Sequence, residues 1–343
     1  MKKRIWQPTA LIILGISLLG ANLIEWGNPS LFNELSLNHV LQTLGDPAPI
    51  HEMDWDQKQI EIGKELVETG QAVLADGKKS KPISKYFVCT NCHNSEREEM
   101  DIRFSDPDTR LPYAIEHGIP FLQGTTFWGI VNRESWYNDD YFLKYGEGVR
   151  AANSSLRESI QLCAIECSQG RPLEKWEEDA ILAYYWTLEL KMADLEIPES
   201  IKLRVTNALK DEITDTTLVN ELKGYYMTAS PATFGHVLEN KKEGYGMKGD
   251  VIIGEQIYET SCRYCHQEGG VSDFLLDYAP KTFKYLKKHM FQNDDDFSIY
   301  QIIRKGTYAS PGARPYMPHY PEEKMSDTQI ESLRLYVLAK ADS

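Results

Sequence analysis

Apolar side chains recur at helical spacing in four segments of the chain, and these segments form two matching pairs. The first segment covers residues 55–74. Its residues 60–69 align with residues 251–260, so that the opening helix of the chain is repeated near the C-terminus. The apolar positions of the first copy that follow this spacing are Ile60, Ile62, Leu66, Val67, Val73 and Leu74.

The second pair of segments closes each half of the chain. Residues 174–187 parallel residues 326–339, and both read as amphipathic helices with one apolar face. Ser326 followed by Gln329 is a capping box, which marks the start of the later helix. The pattern therefore predicts an all-α chain in which one helical plan occurs twice.

Each opening helix leads into the same short motif, Cys-x-x-Cys-His. Thiols at this spacing form covalent bonds to the vinyl groups of a porphyrin, and the adjacent histidine becomes an axial ligand of the iron. A zinc knuckle would need a second cysteine pair, and a redox thiol pair would need a thioredoxin-like setting. We therefore predict two covalently bound haem c groups, attached at Cys89, Cys92 and His93 and at Cys262, Cys265 and His266.

An N-terminal helix, a Cys-x-x-Cys-His motif, irregular chain and a C-terminal helix resemble the plan of the class I cytochrome c fold. The chain carries this plan twice, and the intervening segment shows short helices near residues 201–209 and 217–222. The predicted organisation is a signal or anchor segment at 1–27, a tether at 28–54, a first cytochrome c domain at 55–197, a long linker at 198–249 and a second cytochrome c domain at 250–343.

The N-terminus is predicted to direct the chain out of the cytoplasm. A basic head precedes an apolar run at residues 10–24, which is the composition of an export signal. The run is shorter than the roughly 20 residues that span a bilayer, but Trp6 and Trp26 bracket it as interfacial anchors do. We expect a retained hydrophobic anchor helix with the body on the periplasmic side of a bacterial inner membrane; the alternative is a soluble periplasmic protein after signal cleavage.

The net charge of −14 argues against nucleic acid as a partner, because binding to phosphate needs a basic surface. The expected partner is a soluble or membrane electron carrier, such as another cytochrome c or a respiratory complex.

The iron of each haem needs a second axial ligand, and in the second unit the candidate is Met317. This methionine lies beside Pro318 in a loop ahead of the last helix, where proline restricts the backbone. A thioether ligand raises the reduction potential of the iron. Met325 and His319 are alternatives, and Met317 could instead only pack in the core.

The first unit has no methionine at the corresponding place, where Ile165 lies between Cys163 and Cys167. A cysteine on the first iron would lower its potential and suit chemistry on a substrate. The alternative is a disulfide, which helical i, i+4 spacing disfavours because the Cβ atoms would lie about 5 to 6 Å apart. A third alternative is a pair of buried thiols, with the iron bound by Met100, His117 or Met192.

At these residues the sequence resembles the thiosulfate dehydrogenases and the related sulfur-oxidising diheme cytochromes. The resemblance rests on the two haem motifs, on the segment 128–133 with its Asn132-Arg133 pair, and on Cys163 seven residues before Gly170. The sequence departs from the family in having Cys167, the long linker, an 18-residue insertion before the first motif and the apolar N-terminal run.

The resemblance implies a first haem with histidine and cysteine ligands, where two thiosulfates are coupled to tetrathionate, and a second haem that passes electrons out. Carried over by motif, His93 and Cys163 would bind the first iron, and His266 and Met317 the second. A sulfur anion also needs positive charge, and guanidinium groups suit oxyanions. Arg133 and Arg157, with Arg150 and Arg171, surround Cys163 in sequence and are either this anion site, haem-propionate partners or surface residues.

Two classes of function remain open at this point. The first is an enzyme that oxidises a small sulfur anion at the first haem, with Cys163, Arg133 and Arg157 as catalytic candidates. The second is a membrane-tethered diheme electron-transfer protein without substrate chemistry. A peroxidase, a third class, would need a displaceable ligand on the first iron.

Overall fold

The computed structural model describes residues 29–290, 298–307 and 315–343. Within these ranges the backbone is helical, with only isolated bridges between extended residues, and the predicted all-α class is confirmed. The α-helices in chain order are α1 (Pro29–Asn33), α2 (Leu37–Thr43), α3 (Gln57–Thr69), α4 (Pro107–His117), α5 (Asp139–Tyr145), α6 (Gly148–Ser154), α7 (Leu156–Leu162), α8 (Lys175–Trp186), α9 (Glu199–Lys210), α10 (Thr216–Lys223), α11 (Val251–Ile257), α12 (Arg263–His266), α13 (Pro280–Met290), α14 (Ile299–Lys305) and α15 (Asp327–Ala341).

Shorter 3₁₀ and π-helical turns lie between these α-helices. The two π-helical turns matter most, because each widens the backbone spiral at a cysteine. The 3₁₀ turns are Cys89–Asn91, Ile130–Asn132 and Met192–Asp194, and the π-helical turns are Cys163–Cys167 and Tyr258–Cys262.

The two predicted helix pairs cross in the same way. Helix α3 packs on α8, and α11 packs on α15. A side chain on Gly63 would overlap the carbonyl oxygen of Ala180, and a side chain on Gly254 would overlap that of Ser332. Only glycine lets two helix backbones approach this closely, so the glycine shared by both copies sets both crossings.

The ends of these helices are capped by local side chains. Asp56 and Gln59 form a capping box at the start of α3, and Ser326 and Gln329 form the predicted capping box of α15. The predicted short helices of the linker are confirmed as α9 and α10.

The buried apolar residues form three cores. The first contains Leu66, Ala180 and Ile181 from α3 and α8, and the second contains Ile257, Leu333 and Tyr336 from α11 and α15. A third core joins α2, from the segment predicted as a tether, to α9 and α10 of the predicted linker. Both connecting segments are therefore packed into the folded body over these helices.

The second core also contains residues from the first half of the chain. Leu111 and Ala114 of α4 and the following Phe121 are buried in it, at 2% exposure or less. Helix α4 thus belongs to the first half in sequence and to the second half in packing.

A buried ion network connects the same two halves. The Glu98 carboxylate accepts hydrogen bonds from Arg110 Nη2 at 2.9 Å and from Lys324 Nζ at 2.7 Å. All three side chains are at most 2% exposed. Burial alone would raise the pKa of Glu98, but the two cations hold it well below its usual range.

The predicted anchor helix in residues 1–27 lies outside the described residues. Among the helices that the structure describes, none combines the length and the hydrophobicity needed to cross a bilayer.

Removing the charge of Glu98 tests the ion network. Glu98→Gln leaves Arg110 and Lys324 buried without their shared counter-charge, so we expect the free energy of unfolding to fall by about 3 to 5 kcal/mol at neutral pH. Denaturant unfolding followed by circular dichroism measures this, with the exposed Glu116→Gln on α4 as a control of the same chemistry.

The same variant carries a prediction about pH. Because the folded-state pKa of Glu98 is depressed, its stabilisation is present above the ordinary glutamate pKa of about 4.3 and is lost as the pH falls below it. The stability gap between wild type and Glu98→Gln should therefore narrow in acid. A gap that does not depend on pH would contradict the ionised state of Glu98.

Candidate functional site

The first Cys-x-x-Cys-His motif is held with its histidine ready to bind iron. His93 Nδ1 donates a hydrogen bond to the carbonyl oxygen of Thr125 at 2.7 Å, which leaves Nε2 as the ligand atom. The ring stacks on Phe127, with 4.6 Å between centroids. Burial lowers the pKa of His93, and the neutral imidazole is the form that coordinates metal.

A large cavity opens in front of this histidine. It contains about 1320 Å³ of space, part of which is open to solvent, and Cys89, Cys92 and His93 form one of its walls. Much of the remaining lining is apolar and aromatic, as expected of a haem pocket. The apolar and aromatic side chains lining it include Leu66, Ile83, Phe87, Phe127, Ile130, Trp136, Leu156, Leu173, Ile181 and Tyr185.

Cys163 and Cys167 both line this cavity, on a single π-helical turn. The Ser168 N–H donates to the Cys163 carbonyl at 2.8 Å, which is the i to i+5 bond of a π-helix. Both thiols are free in the structure and hydrogen-bond to each other. The wider turn directs both cysteines of the pair into the cavity.

The two thiols differ in their electrostatic environment. The hydrogen bond from Cys163 lowers the pKa of Cys167 to about 7, against the effect of burial. The hydroxyls of Tyr137 and Tyr145, each 3.7 Å from the Cys167 sulfur, act in the same direction. The same thiol–thiol bond and burial raise the pKa of Cys163. The thiol–thiol hydrogen bond therefore favours the thiolate on Cys167, and Cys163 as the iron ligand stays a prediction.

Only one of the four candidate arginines lines the cavity. Arg133 is 5% exposed and donates to Thr126 O at 2.9 Å, and burial lowers its pKa to about 10. It forms no ion pair with a carboxylate among the described residues. A buried guanidinium of this kind suits an anionic group of a bound cofactor, such as a haem propionate.

The other arginines are engaged elsewhere on the surface of the first half. Arg157 pairs with Asp179 at 2.7 Å and is not among the residues lining the cavity. Arg150 pairs with Glu147, and Arg171 forms a two-pronged ion pair with Glu177. Of the four arginines predicted as an anion site, Arg133 is therefore the one that lines the cavity.

The second motif follows α11 through the π-helical turn Tyr258–Cys262 into α12. His266 Nδ1 donates to the carbonyl oxygen of Phe274 at 2.8 Å, so this histidine is oriented in the same way as His93. Burial likewise lowers its pKa. Both motifs thus present a neutral imidazole with Nε2 free for iron.

Met317 packs against the second core. Its backbone is paired with Thr307, whose Oγ1 accepts from the Met317 N–H at 2.7 Å and whose N–H donates to the Met317 carbonyl at 2.9 Å. Met325, one alternative ligand, is buried in the same core. His319, the other alternative, lines the cavity of the first half instead.

The alternative ligands for the first iron do not reach its cavity. Met100 is 63% exposed, and the His117 ring lies on the surface against Tyr113. Met192 is buried in the third core.

The two motifs touch each other. Tyr264, inside the second motif, donates from its hydroxyl to the carbonyl oxygen of Thr90, inside the first, at 3.1 Å. The Phe121 N–H donates to the carbonyl oxygen of Thr260 at 3.0 Å beside this contact. The two Cys-x-x-Cys-His motifs are therefore neighbours in space, although about 170 residues separate them in sequence.

Within the described ranges, no group of three or more His, Cys, Asp or Glu side chains converges in a way that could hold a metal ion.

Residues 249–337 match the family model described as cytochrome c oxidase, cbb3-type, subunit III. This segment is a c-type cytochrome domain. Its cofactor is covalently bound haem c, and its chemistry is electron transfer with redox partners. No curated protein and no solved structure matches the chain.

Two polar residues that line the first cavity, Tyr145 and His319, were not predicted to lie there from the sequence. Tyr145 continues the four-residue spacing of Tyr137 and Tyr141, a signal that was readable in the sequence. Lys144 and His319 meet at 2.9 Å across 175 positions, and no local pattern could have paired them.

Gly124 offers a test of the first site. A Cβ atom there would lie 2.5 Å from the Nδ1 and Cε1 atoms of His93, so Gly124→Ala must displace the ring and break its hydrogen bond to Thr125. We expect the low-spin absorption and electron paramagnetic resonance (EPR) signals of one haem to change and those of the other to persist. Gly224→Ala, at an exposed glycine with an ordinary φ of −77°, is the control, and unchanged spectra in Gly124→Ala would contradict the assignment.

Proposed function

We propose that the chain is a diheme c-type cytochrome with two tandem cytochrome c domains. The contact between the two Cys-x-x-Cys-His motifs carries this proposal, because electron transfer between cofactors requires them to be close. The matching helix crossings and the matching hydrogen bonds of His93 and His266 support a second haem site equivalent to that of the recognised domain.

The residues of the first cavity fit a haem. The cavity has Cys89, Cys92 and an oriented histidine on one wall, a cysteine pair elsewhere in its lining and a buried arginine that pairs with no carboxylate of the described residues. When bound, the haem supplies one-electron oxidation and reduction. We propose His93 with a cysteine of the 163/167 pair as its axial ligands, and His266 with Met317 at the second site.

The proposed reaction at the first site is the oxidation of a small sulfur anion such as thiosulfate. Three features support it: the cavity opens to solvent, two thiols reach into it, and hydroxyl groups of tyrosines surround one of them. Thiolate ligation disfavours the reduced iron and suits substrate chemistry, whereas a methionine ligand suits electron exit. The second site would then deliver electrons to a soluble or membrane carrier.

The proposed location is the periplasmic side of the inner membrane. The basic head and apolar run of residues 1–27 support export, and attachment of haem c needs the same compartment.

The number and ligation of the haems can be measured directly. We expect the purified protein to carry the mass of two haems and to show one thiolate-type and one His/Met-type low-spin signal in EPR. Cys167→Ser and Cys163→Ser should separate the roles of the thiols: the variant that lacks the ligand loses the thiolate-type signal and retains both covalent haems. A mass with one haem, or two His/Met-type signals, would contradict the diheme His/Cys assignment.

Substrate chemistry is tested by thiosulfate-dependent reduction of an added acceptor. We expect turnover in wild type and its loss, by at least about a hundredfold, in the variant that removes the iron-bound cysteine, since the ligand sets the potential of the site. The surface variant Glu116→Gln, which retains both cysteines of the cavity, is the control and should turn over as wild type does. Absence of turnover in a protein with both haems would leave a diheme electron-transfer protein.

A further inference from the structure

An imidazole from the second half of the chain reaches into the cavity of the first. His319 lines this cavity together with its neighbours Tyr316 and Pro318. The side chain is 7% exposed, and its ring is held edge-on by Phe234 at 4.4 Å between centroids. The first cavity is therefore completed by the loop that also carries Met317.

The hydrogen bond of Lys144 determines which ring nitrogen of His319 carries the proton. Lys144 Nζ lies 2.9 Å from His319 Nδ1. An ammonium group can only donate, so Nδ1 accepts and the hydrogen of the neutral ring is on Nε2. That Nε2 atom is buried and has no hydrogen-bond partner among the described residues.

A buried N–H donor without an acceptor costs free energy, so such groups in native proteins point to a ligand or a bound solvent molecule. The positive charge of Lys144, directly behind the ring, favours an acceptor that is an anion. The hydroxyls of Tyr137 and Tyr145 lie 3.7 Å from the Cys167 sulfur, and the Tyr141 ring lies next to the His319 ring, with 5.8 Å between centroids. This part of the cavity thus offers hydrogen-bond donors and a cation, in a protein whose net charge is −14.

We propose that His319 Nε2–H, supported by Lys144, is the anion-recognition group of the first cavity. The ligand class is a small tetrahedral sulfur oxyanion, bound through an oxygen of its oxidised end. Its other end would then face the cysteine pair. This inference rests on the proposed function, and it gives Lys144 and His319 the role predicted from the sequence for Arg133 and Arg157.

Binding of sulfate to the oxidised, full-length holoprotein tests the inference without requiring turnover. Isothermal titration calorimetry should show His319→Phe and Lys144→Met to raise the dissociation constant for sulfate about tenfold or more, the factor that about 1.4 kcal/mol represents. The KM for thiosulfate should rise by a similar factor, with kcat changed by less than about threefold, because the lost contact is made equally to bound substrate and transition state.

Two further variants control for charge and for folding. Lys58→Met removes an exposed lysine of α3 and should leave sulfate binding unchanged. His319→Gln restores a donor near the position of Nε2 and should recover part of the affinity that His319→Phe loses. Haem absorption and circular dichroism of each variant verify that the sites are intact.

The outcomes separate this inference from the proposed function. Sulfate binding that depends on His319, in a protein that does not turn over thiosulfate, would support the anion site and reject the enzyme proposal. If wild type turns over thiosulfate, and if His319→Phe and Lys144→Met have the same KM and the same sulfate affinity as wild type, the anion site is overturned and the enzyme proposal remains. Absence of sulfate and thiosulfate binding in wild type would overturn the inference as well.

Discussion

The arrangement of both candidate haem sites depends on one buried carboxylate, Glu98. It binds Arg110 from its own half and Lys324 from the other, and it also accepts the N–H of Thr126 at 3.1 Å. Thr125, the preceding residue, provides the carbonyl that orients His93. The interaction that joins the halves therefore also fixes the loop behind the first histidine, so interface and ligand geometry are stabilised together. A buried ion pair of this kind specifies an arrangement more than it adds stability.

The loop of residues 315–320 contributes side chains to both candidate sites. Met317 packs against the second core, whereas Tyr316 and His319 line the first cavity. Since side chains of adjacent positions serve different sites, the loop cannot move at one site without disturbing the other. The two halves are for this reason better regarded as one packed body with a shared wall than as independent domains joined by a linker. The packing of α4 in the second core leads to the same conclusion.

The sequence predicted what local chemistry determines. The four paired helices, the capping box at Ser326 and the short helices α9 and α10 follow from periodicity and capping, which act over a few residues. It did not predict the third core or the meeting of Lys144 with His319, because both depend on contacts between segments far apart in sequence. The candidate arginines illustrate the same limit. Arg157 is close to Cys163 in sequence, but in the fold it pairs with Asp179 and does not line the cavity.

The two halves share the features that position the histidine, but they differ in the residues proposed as second iron ligands. The glycine at the helix crossing and the histidine with its backbone acceptor recur, because they build a haem site of any kind. The residues proposed as second iron ligands do not recur: the first half has a cysteine pair in the lining of its cavity, and the second half has Met317 packed against its core. A soft thioether and a thiolate stabilise opposite oxidation states of iron. Under the proposed ligation, this one difference would give electron transfer a direction, from the open cavity towards the methionine site.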